Sequence, residues 1–218
     1  MHAPTGVTRR RLLAATAGGA VLTTMSPGDV EAAGSGRGRI AFDFVGKLIQ
    51  DAAEFTGFGY LTRAAGFSLT ALFTSPADQS EATARFTFFS RATLSGHSEL
   101  HNLDVVHADG SLAIYHHSGA GTDFDDPESF ARGTRIAAFA ARYHSVVVEQ
   151  TADQGSETLH ALLRQRSARP FQVGGGKRVF GSAGLQLAID ANGWSQRISA
   201  VGPQSQAWIA GLAVPVRP

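Results

Sequence analysis

Apolar and polar residues alternate along most of this chain. Ile40, Phe42, Phe44 and Leu48 fall on even positions while Arg39, Asp43 and Lys47 fall on odd ones, a period of two that predicts a strand with one buried face. The same alternation runs through Phe55–Arg63, through Phe67, Leu69, Ala71 and Phe73, and through Ala84, Phe86, Phe88, Ala92 and Leu94 with Arg85, Thr87, Arg91 and Thr93 between them. Leu100–His107 and Ser111–His117 read as two strands joined by Asp109-Gly110, a favoured two-residue hairpin turn. Thr134–Gln150 and Glu157–Ser167 flank a turn at Ala152-Asp153-Gln154-Gly155. Lys177–Ile189 and Ser195–Ser199 flank Ala191-Asn192-Gly193, and a last strand covers Gln206–Val214.

No stretch beyond the first 32 residues sustains helical spacing for more than about two turns. Within the long loop Ser118–Gly133, Asp126-Pro127-Glu128-Ser129-Phe130 predicts a single helical turn, with Asp126 as cap and Pro127 at the first helical position. Nine or ten consecutive strands joined by short turns predict an all-β fold, a single antiparallel β-barrel of about 8–10 strands, with a β-sandwich as the alternative topology. Closure is favoured because a Phe-rich sheet would otherwise present open edges, and Gly46, Gly57, Gly59, Gly181 and Gly184 suit the bends of a small barrel. In size and strand succession, residues 39–216 resemble the small ligand-holding barrels, lipocalins and the allene oxide cyclase-like barrels that include dirigent proteins. That resemblance is architectural and transfers no catalytic residue.

Composition narrows the chemistry. Among 218 residues, 43% are hydrophobic and 17% charged, and the formal net charge is +1, so there is ample surface to bury and no basic excess for nucleic acid. Cys is absent, which removes thiolate catalysis, Cys-ligated metals and disulfides; no cofactor is expected. The N-terminal segment has its own character. Residues 1–28 hold no Asp or Glu, and Arg9, Arg10 and Arg11 precede the apolar stretch Leu12–Thr24, which is too short to serve as a membrane anchor. Thr8-Arg9-Arg10-Arg11-Leu12-Leu13 resembles the bacterial twin-arginine export motif, although Ala14 stands where a Lys is often found. The resemblance implies the twin-arginine translocase as a transient partner and a periplasmic or secreted destination. Val30-Glu31-Ala32 predicts cleavage after Ala32, leaving a linker at 33–38, a domain at 39–218 and a formally neutral mature chain without a membrane segment or a lipid-bearing Cys.

Histidine carries the candidate chemistry, at His97, His101, His107, His116, His117, His144 and His160. A turn at Asp109-Gly110 would put His101, His107 and His116 on one face with Leu103, Val105, Leu112 and Ile114, and bring His101 diagonally to His116 as a candidate metal pair. The other face would carry Asn102, Asp104, Tyr115 and His117, with Asp104 diagonal to His117 as a carboxylate–imidazole pair able to orient a base. Hydrogen bonding to a neighbour is the commoner use of strand histidines, so no metal is favoured. Burial of His101, His107 and His116 would lower their pKa and make the fold lose stability between about pH 7 and 5. The carboxylates of Asp123-Phe124-Asp125-Asp126-Pro127-Glu128 fit a solvated loop better than a calcium site, and Gly174-Gly175-Gly176 fits a hairpin turn better than a phosphate loop.

Three functions fit this pattern. The first is a barrel binding a small, largely apolar ligand, lined by Phe42, Phe44, Phe86, Phe88, Leu187 and Ile189. The second is an enzyme of the cyclase or isomerase kind using Asp104, Tyr115, His116 and His117. The third is an extracellular interaction module with a solid interior.

Overall fold

Ten strands form among the described residues, most of them from the alternating segments. In the computed structural model, which describes residues 41–119, 121–198 and 204–216, they are β1 (Phe42–Asp51), β2 (Glu54–Ala64), β3 (Phe86–Leu100), β4 (Leu103–His116), β5 (Thr134–Thr151), β6 (Gln154–Ala168), β7 (Pro170–Val173), β8 (Gly176–Val179), β9 (Gln186–Arg197) and β10 (Gln204–Pro215). Eight of them close in the order β1-β10-β9-β6-β5-β4-β3-β2, every pair antiparallel, while β7 and β8 form a separate hairpin. The seam is β1 against β10, from Phe42↔Ala213 to Asp51↔Gln204. The fold is therefore an all-β closed barrel, and the sandwich alternative is set aside because no strand edge is left within the ring. The export segment, its cleavage position and the linker lie outside the described residues.

Several turns differ from the sequence expectation. Asp109-Gly110 lies in the middle of β4, and the β3–β4 turn is His101-Asn102, with His101 at a φ of 56°. Ala191-Asn192-Gly193 likewise lies within β9. Both glycines serve close approach: a Cβ on Gly110 would stand 2.1 Å from the Arg91 carbonyl oxygen, and one on Gly193 would stand 2.1 Å from that of Trp208. A tightly coiled small barrel brings its walls this near, so a turn-like dipeptide marks a strand crossing here. Gly181 and Gly184, at φ of 69° and 90°, lie in the loop between β8 and β9 rather than in a strand.

The segment 67–73 is not a strand. It holds a short helix, α1 (Leu69–Leu72), whose Ala71 amide donates to the Ser68 hydroxyl at 3.3 Å, and it buries Leu72 and Phe73. Pro127–Ala131 forms the expected helical turn, of 3-10 type, but Asp126 makes no side-chain cap; its Oδ2 accepts from Arg132 at 2.7 Å instead.

The two ends of the barrel are built differently, and this places the site. Hairpins β1–β2, β3–β4 and β5–β6 turn tightly at one end, whereas residues 65–85, 117–133 and 169–185 make long connections at the other. The long connections carry apolar plugs. Phe171 packs on Phe86 and His116 with ring centroids 5.6 and 5.2 Å away, and Phe180 packs on Phe42 at 5.8 Å. Outside the wall, Phe124 and Phe130 from the 117–133 loop cover Phe58, and Phe124 also reaches Trp208.

Candidate ligand cavity

Strand registers fix which side chains point inward. Across β3 and β4, Phe88↔Ile114, Ser90↔Leu112, Ala92↔Gly110 and Leu94↔Ala108 pair directly, so residues of even number on β4 face the interior. A bulge on β3 between Leu94 and Gly96 inserts one residue and reverses its alternation, which turns His97 and Glu99 inward opposite Val106 and Asp104. In the half near the long connections, the inward residues are large and interlocked. In the half near the hairpins they become small or polar: Ser90, Ala92, Ala108, Ser145, Gly155 and Ala207. This change of size along each strand leaves a cavity of about 660 Å³ that opens at the hairpin end.

The cavity wall is mainly apolar, from Leu48, Phe55, Leu94, Val106, Val147 and Leu159, and two polar pairs interrupt it. The Ser90 and Tyr143 hydroxyls lie 2.6 Å apart, and burial pushes the phenol up to about 12 despite the opposing hydrogen bond with Ser90. The Ser145 hydroxyl donates to Glu157 Oε1 at 2.6 Å. Glu157 is only 8% exposed, and burial lifts its carboxyl above the usual range, with the Ser145 hydrogen bond pulling the other way. Its second oxygen accepts no hydrogen bond among the described residues. At the rim, Glu99, Asp104, Glu149 and Asp153 outnumber Arg197 and His97, and Asp104 Oδ1 pairs with His97 Nε2. The entrance is electronegative.

The sequence-predicted residues divide between the two ends. Phe42, Phe44, Phe86, Phe88, Leu187 and Ile189 all face inward and are buried, but they fill the closed half and do not line the cavity. Phe88 comes nearest to its floor, edge-on to Phe44 with centroids 5.4 Å apart. Asp104 does line the cavity, with His97 as its partner in place of His117. His116 is wedged against Phe86 and Phe171, and burial, then Arg85 and His117, lowers its pKa. His117 contacts the Thr87 hydroxyl at 2.9 Å, and burial lowers its pKa against a backbone hydrogen bond with Phe130. Tyr115 is half-buried on the outer face. None of these three reaches the cavity.

Because Asp109-Gly110 is not a turn, the expected faces and the metal pair dissolve. Leu103, Val105 and His107 point outward while Leu112, Ile114 and His116 point inward. The length of β4, 14 residues and about 45 Å at the usual strand rise, separates His101 from His116. Among the described residues no three His, Asp or Glu side chains gather about one ion-sized position. Ser90, Tyr143, Ser145 and Glu157 lie outside the residues that the sequence pattern singles out, although Glu157 shares its parity with Leu159, Ala161 and Leu163, which marks an inward-facing carboxyl. No protein-family profile, curated protein or solved structure matches the chain.

Proposed function

We propose that the barrel binds a small, largely apolar molecule that enters at the hairpin end and sets one polar group against the Ser145–Glu157 and Ser90–Tyr143 pairs. The observation that carries this reading is the cavity itself: about 660 Å³ falls within the range of pockets for drug-sized ligands. Its acidic rim and buried carboxyl favour a ligand whose polar end donates hydrogen bonds or carries positive charge. The outer wall presents Lys47, Arg63, Arg91, Arg142, His160 and Asp190, the reverse of a lipid-facing barrel, whose outside is apolar and inside polar. Among the described residues no helix is long and apolar enough to cross a membrane. Native mass spectrometry of the protein recovered from its producing cells tests the reading. A one-to-one small-molecule adduct that leaves on gentle activation supports it; a bare mass at every collision energy, with no uptake from a lipid extract, counts against it.

A second reading, a cyclase or isomerase, rests on Glu157 and Tyr143 in place of the four residues expected from sequence. A carboxyl whose proton is held more tightly by burial in an apolar cavity is suited to donate that proton or a hydrogen bond to a developing charge. Incubation of a recovered ligand with wild type and Glu157→Gln separates the two readings, since only an enzyme converts it. For Arg9 and Arg10 we retain twin-arginine export with cleavage after Ala32. Retention of Met1 in the exported protein, or undiminished export of an Arg9→Lys/Arg10→Lys variant, contradicts that assignment.

A further inference from the structure

The outer wall holds a row of imidazoles that the cavity does not use. His107 on β4 pairs directly with His144 on β5, His144 with His160 on β6, and His160 with Asp190 on β9, so four neighbouring strands present these side chains at one level. All four point away from the interior, since their neighbours Ala108, Tyr143, Ala161 and Ile189 are the inward residues. The His107 and His144 rings are 4.7 Å apart, with Nδ1 facing Nδ1 at 3.4 Å. The His144 and His160 rings are 6.4 Å apart and nearly parallel, and His160 Nδ1 lies 2.5 Å from Asp190 Oδ1.

A separation of 3.4 Å is long for an N–H hydrogen bond, whose usual limit is about 3.2 Å. It is the separation of two ligands on one tetrahedral ion: nitrogens each about 2.0–2.1 Å from zinc stand about 3.3 Å apart. We infer that His107 and His144 form a surface site for a borderline divalent transition metal, both binding through Nδ1, with water or an exogenous donor in the remaining positions. The juxtaposition is set by two long ladders of the closed barrel, so little ordering is needed on binding. On the β3 side the row ends at Gly96, where an added Cβ would make only an ordinary van der Waals contact, 3.5 Å from His107 Cδ2. Arg142, two residues before His144, faces Asp109 at 3.6 Å, so its charge is partly offset near the incoming cation. With two imidazole nitrogens as the ligating pair, the site selects Cu²⁺, Ni²⁺ or Zn²⁺ over Ca²⁺ and Mg²⁺. His160, turned toward Asp190, stands outside the first pair and supports the row from the side.

Because the two ligands come from adjacent strands, the metal binds the folded wall and not the unfolded chain, and should raise the melting temperature. The test is titration of chelator-treated protein with Cu²⁺ and Zn²⁺ by calorimetry, alongside melting curves with and without Zn²⁺. One ion per chain is expected, Cu²⁺ binding tighter than Zn²⁺, with a loss of at least about tenfold in His107→Ala and in His144→Ala and a lesser loss in His160→Ala. The Zn²⁺-dependent rise in melting temperature should vanish in the first two variants and persist in His97→Ala, which removes a rim histidine. Electron paramagnetic resonance of the wild-type Cu²⁺ complex reads the ligands without any substitution and should show two imidazole nitrogens. Fewer than two nitrogens, or a His107→Ala/His144→Ala affinity within about threefold of wild type, overturns the assignment.

Discussion

The Ser90–Tyr143 pair inside the cavity makes a prediction that can be worked to a number. Ser90 is 7% exposed, the Tyr143 phenol is displaced to about 12, and the two oxygens are 2.6 Å apart. Removing one hydroxyl leaves its partner desolvated and unpaired, at a cost of about 1–3 kcal/mol, whereas removing both leaves nothing unsatisfied. Tyr143→Phe and Ser90→Ala should therefore each destabilise by about 1–3 kcal/mol, and the double variant by no more than the larger single change. The coupling in the double-mutant cycle should be about 1 kcal/mol or more, well above the ~0.3–0.5 kcal/mol scatter of independent sites. Urea unfolding followed by far-ultraviolet circular dichroism at neutral pH gives all four corners. Additive effects within that scatter would mean that water in the cavity replaces the lost partner, and the coupling assigned to the Ser90–Tyr143 pair would fail. Tyrosinate absorbance offers an independent check on the same group: Tyr143→Phe should remove a component that ionises near pH 12.

Two further predictions concern pH. The Glu157 carboxyl lies above its ordinary 4.5 in the fold, so the native state holds this proton more tightly than the unfolded chain, and the group's contribution declines as pH rises through the folded value. Glu157→Gln keeps an acceptor for Ser145 and removes the ionisation; its urea midpoint should gain on wild type between pH 5 and 8, and a difference independent of pH would refute the assignment. His116 and His117 shift the other way, below 6.5: the unfolded chain takes up protons first on acidification, so their contribution is present above that value and is lost as pH falls through the folded ones. The midpoint of His116→Gln/His117→Gln relative to wild type should therefore rise between pH 7.5 and 5.5; a difference that is constant or falls over that range would refute the assignment.

How much of this was legible beforehand follows from what a period of two can encode. Alternation at Phe42 and Phe44, Phe86 and Phe88, Leu187 and Ile189 reports an inward face, and all six do face inward. It does not report how deep along the barrel a residue lies. Depth depends on which end carries the long connections, and of the residues that plug that end Phe171 lies in the short β7–β8 hairpin and Phe180 just after it, within a stretch whose alternation reads as one strand over Lys177–Ile189. The change from Phe88 to Ser90 and Ala92 on β3, and from Phe139 to Tyr143 and Ser145 on β5, marks where the plug gives way to the cavity. Asp109-Gly110 and Ala191-Asn192-Gly193 misled because glycine meets two needs, positive φ in turns and close approach in coiled walls, and only the ladders distinguish them. The bulge before His97 was equally silent, so the pairing of Asp104 with His97 could not be foreseen.

The hairpin-end cavity is proposed to take up an apolar ligand. Titration of a lipophilic fluorescent probe into wild type and into Ala108→Trp/Ala207→Trp, which inserts two indoles into the cavity, tests it most directly. Saturable one-to-one binding to wild type is predicted, with at least about a tenfold loss in the filled variant while its circular dichroism spectrum stays native. Absence of saturable binding to wild type, or equal affinity for the filled variant, would contradict it.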